Sequence, residues 1–406
     1  MKEIEGGVTA AKGFKAAGIH AGIRPGKTKK DLGLIYCDVK CAAAGLFTTN
    51  LVKADPVLLD IETLKDPYAQ AIIANSGIAN ACAPNGMKHA REMQKITADA
   101  MGIDADLVLT GSTGVIGMEL FTECIADHID ELKKELVSDP SGSDACARAI
   151  MTTDTVKKEY ALEAMIGGKP VRIGGISKGS GMIHPNMGTM LAYITTDCAI
   201  APSLLKKALK EACAQSFNRI SVDGDTSTND SLIILASGLA ENPCIEETGE
   251  DYQVFRALLS TLCVNLARKM AKDGEGAKHL ITCSISHARS VSEAEQLAKS
   301  VIGSSLTKAA IFGCDANWGR VLCALGYAGV EFDPSKTDIR FASSAGRIEV
   351  ARSGRGLAFD EELAKKILSE DEVVIEIDLH DGESEVTCWG CDLTYDYVKI
   401  NGDYRT

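Results

Sequence analysis

Two periodicities alternate along the chain. Short apolar runs that end in glycine loops, "AQAIIANSG" from Ala69 and "DLVLTGSTG" from Asp106, predict buried strands. Between them "GMKHAREMQKITADAMG" sets Met93, Ile96, Ala100 and Met101 on one helical face, with Gly102 as the C-terminal stop. "SLLKKALKEACAQSF" from Ser203 predicts another amphipathic helix. A longer one follows in "YQVFRALLSTLCVNLARKMAKDG", where Phe255, Leu258, Leu259, Leu262 and Leu266 form the stripe. Ser292 and Glu295 have the spacing of a capping box before a further helix. "SLIILASGLA" from Ser231 is apolar but too short to span a bilayer. Near the C-terminus "IRFASSAGRIEVAR" and "VVIEIDLHDGESEVTCWG" each predict two strands about a turn, the second turn at Asp381-Gly382. The whole is a mixed α/β pattern without internal repeat, low-complexity tract or Pro/Ser-rich linker.

Length and composition narrow this picture. At 406 residues the chain exceeds one simple core, and about 150 residues per domain implies two or three. Aromatics are only 5%, so Ala, Val, Ile and Leu do most of the packing. A net charge of −13 argues against nucleic acid and anionic membrane as partners, because both select basic surfaces. The 14 cysteines are scattered and "MKEIEGGVTAAKGF" has no apolar signal core, so a reducing, cytoplasmic location is expected.

Several cofactor motifs fail on inspection. Cys388 and Cys391 form a lone CxxC without a second pair, His380 is the only histidine nearby, and two strand cysteines with no metal are expected. "DGDTSTND" from Asp223 resembles a calcium loop but has Thr228 where glycine and Ile234 where glutamate would be required. "GGISKGSG" from Gly174 lacks the dinucleotide spacing, and there is no Walker A sequence. No cofactor is expected.

The stretch "SKGSGMIHPNMGTMLAYITTD" from Ser177 changes character between Gly188 and Thr189, from turn residues to an apolar strand. Such a step is commonly just a turn into a strand. It also carries definite chemistry. Attack of the Thr189 hydroxyl on the Gly188 carbonyl turns the peptide into an ester, and hydrolysis leaves Thr189 as a chain terminus. Its new α-amine, with an ordinary pKa of about 7.7–8.0, can then act as base for its own hydroxyl. A nucleophile of this kind needs an oxyanion hole. "GSTGVIG" from Gly111 offers the Thr113 hydroxyl and, beside it, a backbone N–H that Gly114 leaves approachable.

Taken together, "GFKAAGIHAGIRPGKTKKDLGLIYCD", "ANSGIANAC", "GSTGVIG", "MTTDT", "ISKGSGMIHPNMGTMLAYITTD", "SVDGDTSTND", "KDGEGAKHLI", "DANWGRVLCALGYAG" and "WGCDLTYDYVKINGDYRT" resemble, in order and end to end, the ornithine acetyltransferase (glutamate N-acetyltransferase) family of arginine biosynthesis. The resemblance implies an α/β fold of layered sheets with flanking helices, similar to N-terminal nucleophile hydrolases. It implies self-cleavage into an α chain, 1–188, and a β chain, 189–406, assembled as a heterotetramer of two of each. Acetyl transfer from N2-acetyl-L-ornithine to L-glutamate through acetyl-Thr189 is the implied activity, with acetyl-CoA open as a second donor. Thr113 and Gly114 match the oxyanion pair; Thr152, Lys178, Thr189, Glu275, Asn401 and Thr406 match the substrate-contacting positions. The family usually has alanine where Gly188 stands. Alternatives are a self-cleaving amidase or aminopeptidase that releases acetate, a transferase for another acyl amino acid, and a silent binding protein that keeps the fold.

Overall fold

The computed structural model describes residues 1–24, 26–184 and 190–402. The chain divides into two compact units, one of Met1–Asn218 with Asp225–Met270, the other of Arg219–Gly224 with Ala271–Thr406. Strands before and after residues 188/189, the expected boundary between α and β chains, pair in one sheet of the first unit.

In the first unit nine described strands form that sheet. Its order is Lys2–Glu3, Lys158–Ile166, Lys169–Lys178, Leu191–Thr196, Ser231–Ala236, Leu32–Phe47, Tyr68–Ile78 and Val108–Val115, with Phe14–Ile19 also paired to Leu32–Phe47. Leu191–Thr196 is antiparallel to Lys169–Lys178 and parallel to Ser231–Ala236; Tyr68–Ile78 and Val108–Val115 are parallel. Successive side chains of a strand point to opposite faces. Accordingly Ala71 and Ile73 join one apolar cluster, with Met93 and Ala98 of helix Gly86–Met101 and with Ile125, Ile129 and Leu132 of helix Thr122–Lys134. Ile72 and Ala74 join another, with Cys146 and Ala147 of helix Pro140–Ala149. Burial on both faces is why these strands read as continuous apolar runs rather than alternating ones. Helix Gly86–Met101 ends as expected, on Gly102 with φ +70°. Phe255, Leu258, Leu259, Leu262 and Leu266 of helix Glu250–Lys272 are fully buried.

The second unit holds a seven-stranded sheet in the order Arg355–Gly356, Gly346–Arg352, Asp338–Ser343, Glu372–Asp378, Leu280–Ala288, Ser384–Cys391 and Ile220–Ser221 among the described residues. One face is apolar: Ile281, Cys283, Ile285, Val373, Ile375, Ile377 and Phe341 pack with helices Val291–Gly303, Trp318–Gly326 and Glu361–Leu368. The opposite face carries Thr282, Ser284, Ser286, Arg340 and Glu376, the clean alternation of a sheet covered on one side.

Two local expectations are corrected. Glu372–Asp378 and Ser384–Cys391 are not a hairpin; Leu280–Ala288 lies between them, parallel to the first and antiparallel to the second. The Asp-Gly step therefore links strands two places apart, and inserting Leu280–Ala288 lets all three bury their apolar faces together. The helix after Ala288 is capped two residues earlier than expected. Ser290 Oγ accepts from Glu293 N and is the N-cap, while Ser292 and Glu295 already lie within helix Val291–Gly303. Asp338–Ser343 and Gly346–Arg352 do form the expected hairpin. Among the described residues no helix is long and apolar enough to cross a membrane.

Candidate functional site

Gly188, Thr189 and Thr406 lie outside the described residues. The other six expected residues fall into two groups, four in the first unit and two in the second.

Thr113 and Gly114 close the strand Val108–Val115, in parallel register with Ser76 and Gly77. Gly114 has φ +133°, and a Cβ there would stand 2.3 Å from the Gly77 carbonyl carbon. Only glycine permits this backbone-to-backbone approach. Lys178, the last residue of Lys169–Lys178 and 8% exposed, donates from Nζ to Thr113 Oγ1 at 3.2 Å. The cation occupies an acceptor site on that oxygen, so the Thr113 O–H proton is polarised and left for an incoming acceptor.

A buried ion pair anchors this corner. Lys158 Nζ donates to Asp154 Oδ1 at 2.5 Å, with both side chains at 0% exposure. The same carboxylate accepts from Gly179 N at 2.8 Å and, through Oδ2, from Thr152 N at 3.1 Å. Asp154 thereby joins the "MTTDT" loop to the end of the strand that carries Lys178. Burial would raise its carboxyl, but the charges of Lys158 and Lys178 and the hydrogen bonds outweigh that and hold it at about 2. Asp230, 1% exposed, behaves oppositely. Burial pushes it well above the usual carboxylate range; the nearby Thr48, Met190 amide, Ser227 and Lys178 pull it back only in part. Neither of its oxygens closes a hydrogen bond among the described residues.

The segment that fails as a calcium loop has a structural task here. Asn229 Nδ2 donates to Ala79 O at 2.6 Å and Ser112 O at 2.8 Å, while Asn75 Oδ1 accepts from Ser112 Oγ at 2.6 Å. These bonds fix the backbone immediately before Thr113. Neighbouring bonds tie the same segment to residues 48–54, Thr48 Oγ1 to Ser227 O at 2.8 Å and Ala54 N to Thr228 O at 2.9 Å. Asp154, Lys158 and Asn229 are not among the residues expected from sequence.

In the second unit Glu275, 5% exposed, accepts from Asn401 Nδ2 at 2.7 Å. Asn401 lies in the helix Tyr395–Gly402, which is seated on the "KDGEGAKH" loop. Thr394 Oγ1 donates to Gly276 O at 2.7 Å, and Asp392 Oδ1 accepts from Lys278 N at 2.9 Å. Gly276 has φ +69°, and a Cβ there would meet Tyr397 N at 2.7 Å. Glu275 and Asn401 thus come together although 126 positions separate them. Cys388 and Cys391 lie on one strand, Ser384–Cys391, at odd spacing and hence on opposite faces, which forbids a shared metal.

Comparison with known proteins places this arrangement among relatives. Residues 15–406 match the ArgJ family. Over 408 residues, 100% of both chains, the sequence is 50% identical to the arginine biosynthesis bifunctional protein ArgJ of Symbiobacterium thermophilum. It is 50% identical to ArgJ 1 of Clostridium acetobutylicum over 98% of this chain and 97% of that one. The crystal structure of the arginine biosynthesis bifunctional protein argJ from Bacillus halodurans matches with a TM-score of 0.50 at 44% identity, covering 52% of this chain and 97% of that chain.

Proposed function

The chain belongs to the ArgJ family, and from that membership we propose that it transfers the acetyl group of N2-acetyl-L-ornithine to L-glutamate, yielding L-ornithine and N-acetyl-L-glutamate in arginine biosynthesis. The observation that carries the reading is full-length identity of 50% to a protein so named. The word bifunctional in that name supports a second activity, which we assign to acetyl-CoA as an alternative acetyl donor to glutamate.

The chemistry follows from a cut at Gly188-Thr189. The matched Bacillus halodurans chain, 97% of which corresponds to only 52% of this one, fits a family whose chains are halved. Thr189 stands two residues before Leu191, the strand partner of Lys178. Its α-amine takes the hydroxyl proton, and the oxygen attacks the acetyl carbonyl. The oxyanion is met by the Thr113 hydroxyl, polarised by Lys178, and by the Gly114 N–H. Each such donor is worth roughly 2.7–4 kcal/mol. The C–N bond breaks as the ornithine amine takes the proton, leaving an acetyl ester on Thr189. The α-amine of glutamate then attacks the ester, and the Thr189 hydroxyl is restored. Both substrates share an α-carboxylate, which Lys178 meets, and Thr152 borders the same corner. They differ at the far end, where ornithine is a cation and glutamate an anion. Glu275 meets the ornithine ammonium, and Asn401 and Thr406 adapt to either ligand. The working form is a tetramer of two α and two β chains.

The test is to mix purified protein with acetylornithine, with and without glutamate. Acetylglutamate formed in step with ornithine supports transfer. Acetate formed at the same rate with or without glutamate would identify a hydrolase instead.

A further inference from the structure

The second unit also brings His287 beside Asp378 and His380, which lie about ninety positions further along the chain. His287 sits where strand Leu280–Ala288 breaks register, a bulge between Ile285 and Ala288. Asp378 ends the strand Glu372–Asp378, and His380 follows two residues later. One donor atom from each of the three lies within 4.8 Å of the others. Asp378 Oδ1 is 2.8 Å from His287 Nδ1 and 3.4 Å from His380 Nδ1. Adjacent ligand atoms about a tetrahedral ion at 2.0–2.1 Å stand about 3.3 Å apart, so both separations are close to what one ion would impose.

Two further observations point to a ligand. His287 and His380 both have left-handed backbone, φ +52° and +50°. An L residue rarely adopts this region, and here both departures aim imidazoles at one carboxylate, with the rings stacked at 7° and their centroids 6.1 Å apart. Secondly, the outer nitrogen of His380 is already engaged. Nε2 lies 3.0 Å from Asp338 Oδ2, so that with a proton held on this side Nδ1 is the nitrogen an ion would take. A carboxylate behind a histidine is the usual outer partner of a metal ligand; it fixes the tautomer and raises the basicity of the free nitrogen.

The geometry points to a divalent transition-metal site with His287 Nδ1, Asp378 Oδ1 and His380 Nδ1 as ligands and Asp338 as the outer carboxylate on His380. Two imidazoles with one carboxylate select zinc, nickel, cobalt or copper over calcium and magnesium. The imidazoles are about half exposed, 50% and 48%, so water completes the coordination. An ion held there ties the bulge of one strand to the end of its parallel neighbour and, through Asp338, to the start of strand Asp338–Ser343. Its role is to clip strand ends, and it takes no part in acetyl transfer.

The experiment uses the full chain, stripped with a chelator and titrated with zinc at neutral pH against a chromophoric competitor. Wild type is compared with His287→Asn, His380→Asn and Asp338→Asn. Asparagine tolerates the left-handed backbone at 287 and 380 and so preserves the fold. About one tight equivalent of zinc is expected in wild type, with a rise in melting temperature. Either histidine substitution should weaken it roughly 100-fold or more, and Asp338→Asn by about 10–100-fold. Activity, where present, should be unchanged in the two histidine variants. Zinc bound with the same affinity and stoichiometry in both histidine variants would overturn the assignment. So would a wild-type chain that takes up no zinc at micromolar concentration, which would leave the cluster as two histidine–aspartate ion pairs.

Discussion

Replacing Asp154 by asparagine tests the corner that holds Lys178. The substitution keeps the size and removes the charge from a pair whose side chains are both fully buried. In the folded protein the carboxyl is held at about 2, against an ordinary value of 3.8. A depressed folded value means that protons bind the unfolded chain more tightly. The ionised carboxylate's stabilisation is therefore fully present above about 3.8 and is lost as pH falls toward about 2. At 1.36 kcal/mol per unit the shift corresponds to about 2 kcal/mol at neutral pH. Asparagine costs more than protonation, because it also leaves Lys158 without its carboxylate inside the fold. Breaking one side of a buried pair costs about 3–5 kcal/mol. We expect a loss of about 3 kcal/mol, seen by calorimetry at pH 7 as a melting temperature lower by roughly 6–12 °C. The double variant Asp154→Leu, Lys158→Met, which replaces the pair by apolar volume, should regain most of that stability. It should not regain acetyl transfer, since the anchors on Thr152 N and Gly179 N are gone. An Asp154→Asn protein melting within about 2 °C of wild type would refute the reasoning.

Three further outcomes are expected. Thr113→Val removes the polarised hydroxyl without changing the shape of the strand, and steady-state assays should show kcat lower by about 10²–10³ with little change in melting temperature. Glu275→Gln should raise KM for acetylornithine by several-fold more than KM for glutamate; the reverse order would show that Glu275 does not meet the ornithine ammonium. Gly276→Ala forces a Cβ at φ +69° against the Tyr397 amide, so the C-terminal helix should become sensitive to carboxypeptidase and both KM values should rise.

Much of the architecture was legible because burial on two faces and burial on one face leave different patterns. "AQAIIANSG" is a continuous apolar run because Ala71 and Ile73 face one helix layer while Ile72 and Ala74 face the other. The helix around Met93 was legible from its stripe and its terminal Gly102. The order of strands in the second unit was not. Asp381-Gly382 has hairpin chemistry, yet nothing local records that residues 280–288, about a hundred positions upstream, insert between the two strands. Of the site, Thr113 and Gly114 were marked by their small-residue loop after an apolar run, whereas Lys178 was marked only by the family resemblance. Asp154 and Lys158 were missed because a charged pair four residues apart ordinarily signals a solvated surface, and only the tertiary fold buries it. The segment that holds Asn229 was weighed as a calcium loop because it is rich in oxygen donors, and was rejected. The Asn229 amide instead binds two backbone carbonyls from distant strands. The histidines at 287 and 380 were invisible as a pair for the same reason: spacing along the chain says nothing about a bulge and a strand end meeting.

The central claim is that an interior threonine becomes a terminal, acyl-carrying nucleophile, and intact-mass spectrometry of freshly purified protein addresses it directly. Two chains are expected, ending at Gly188 and beginning at Thr189, with one acetyl mass added to the second on exposure to acetylornithine and removed on adding glutamate. A single uncut chain that still turns over acetylornithine at full rate would contradict the account.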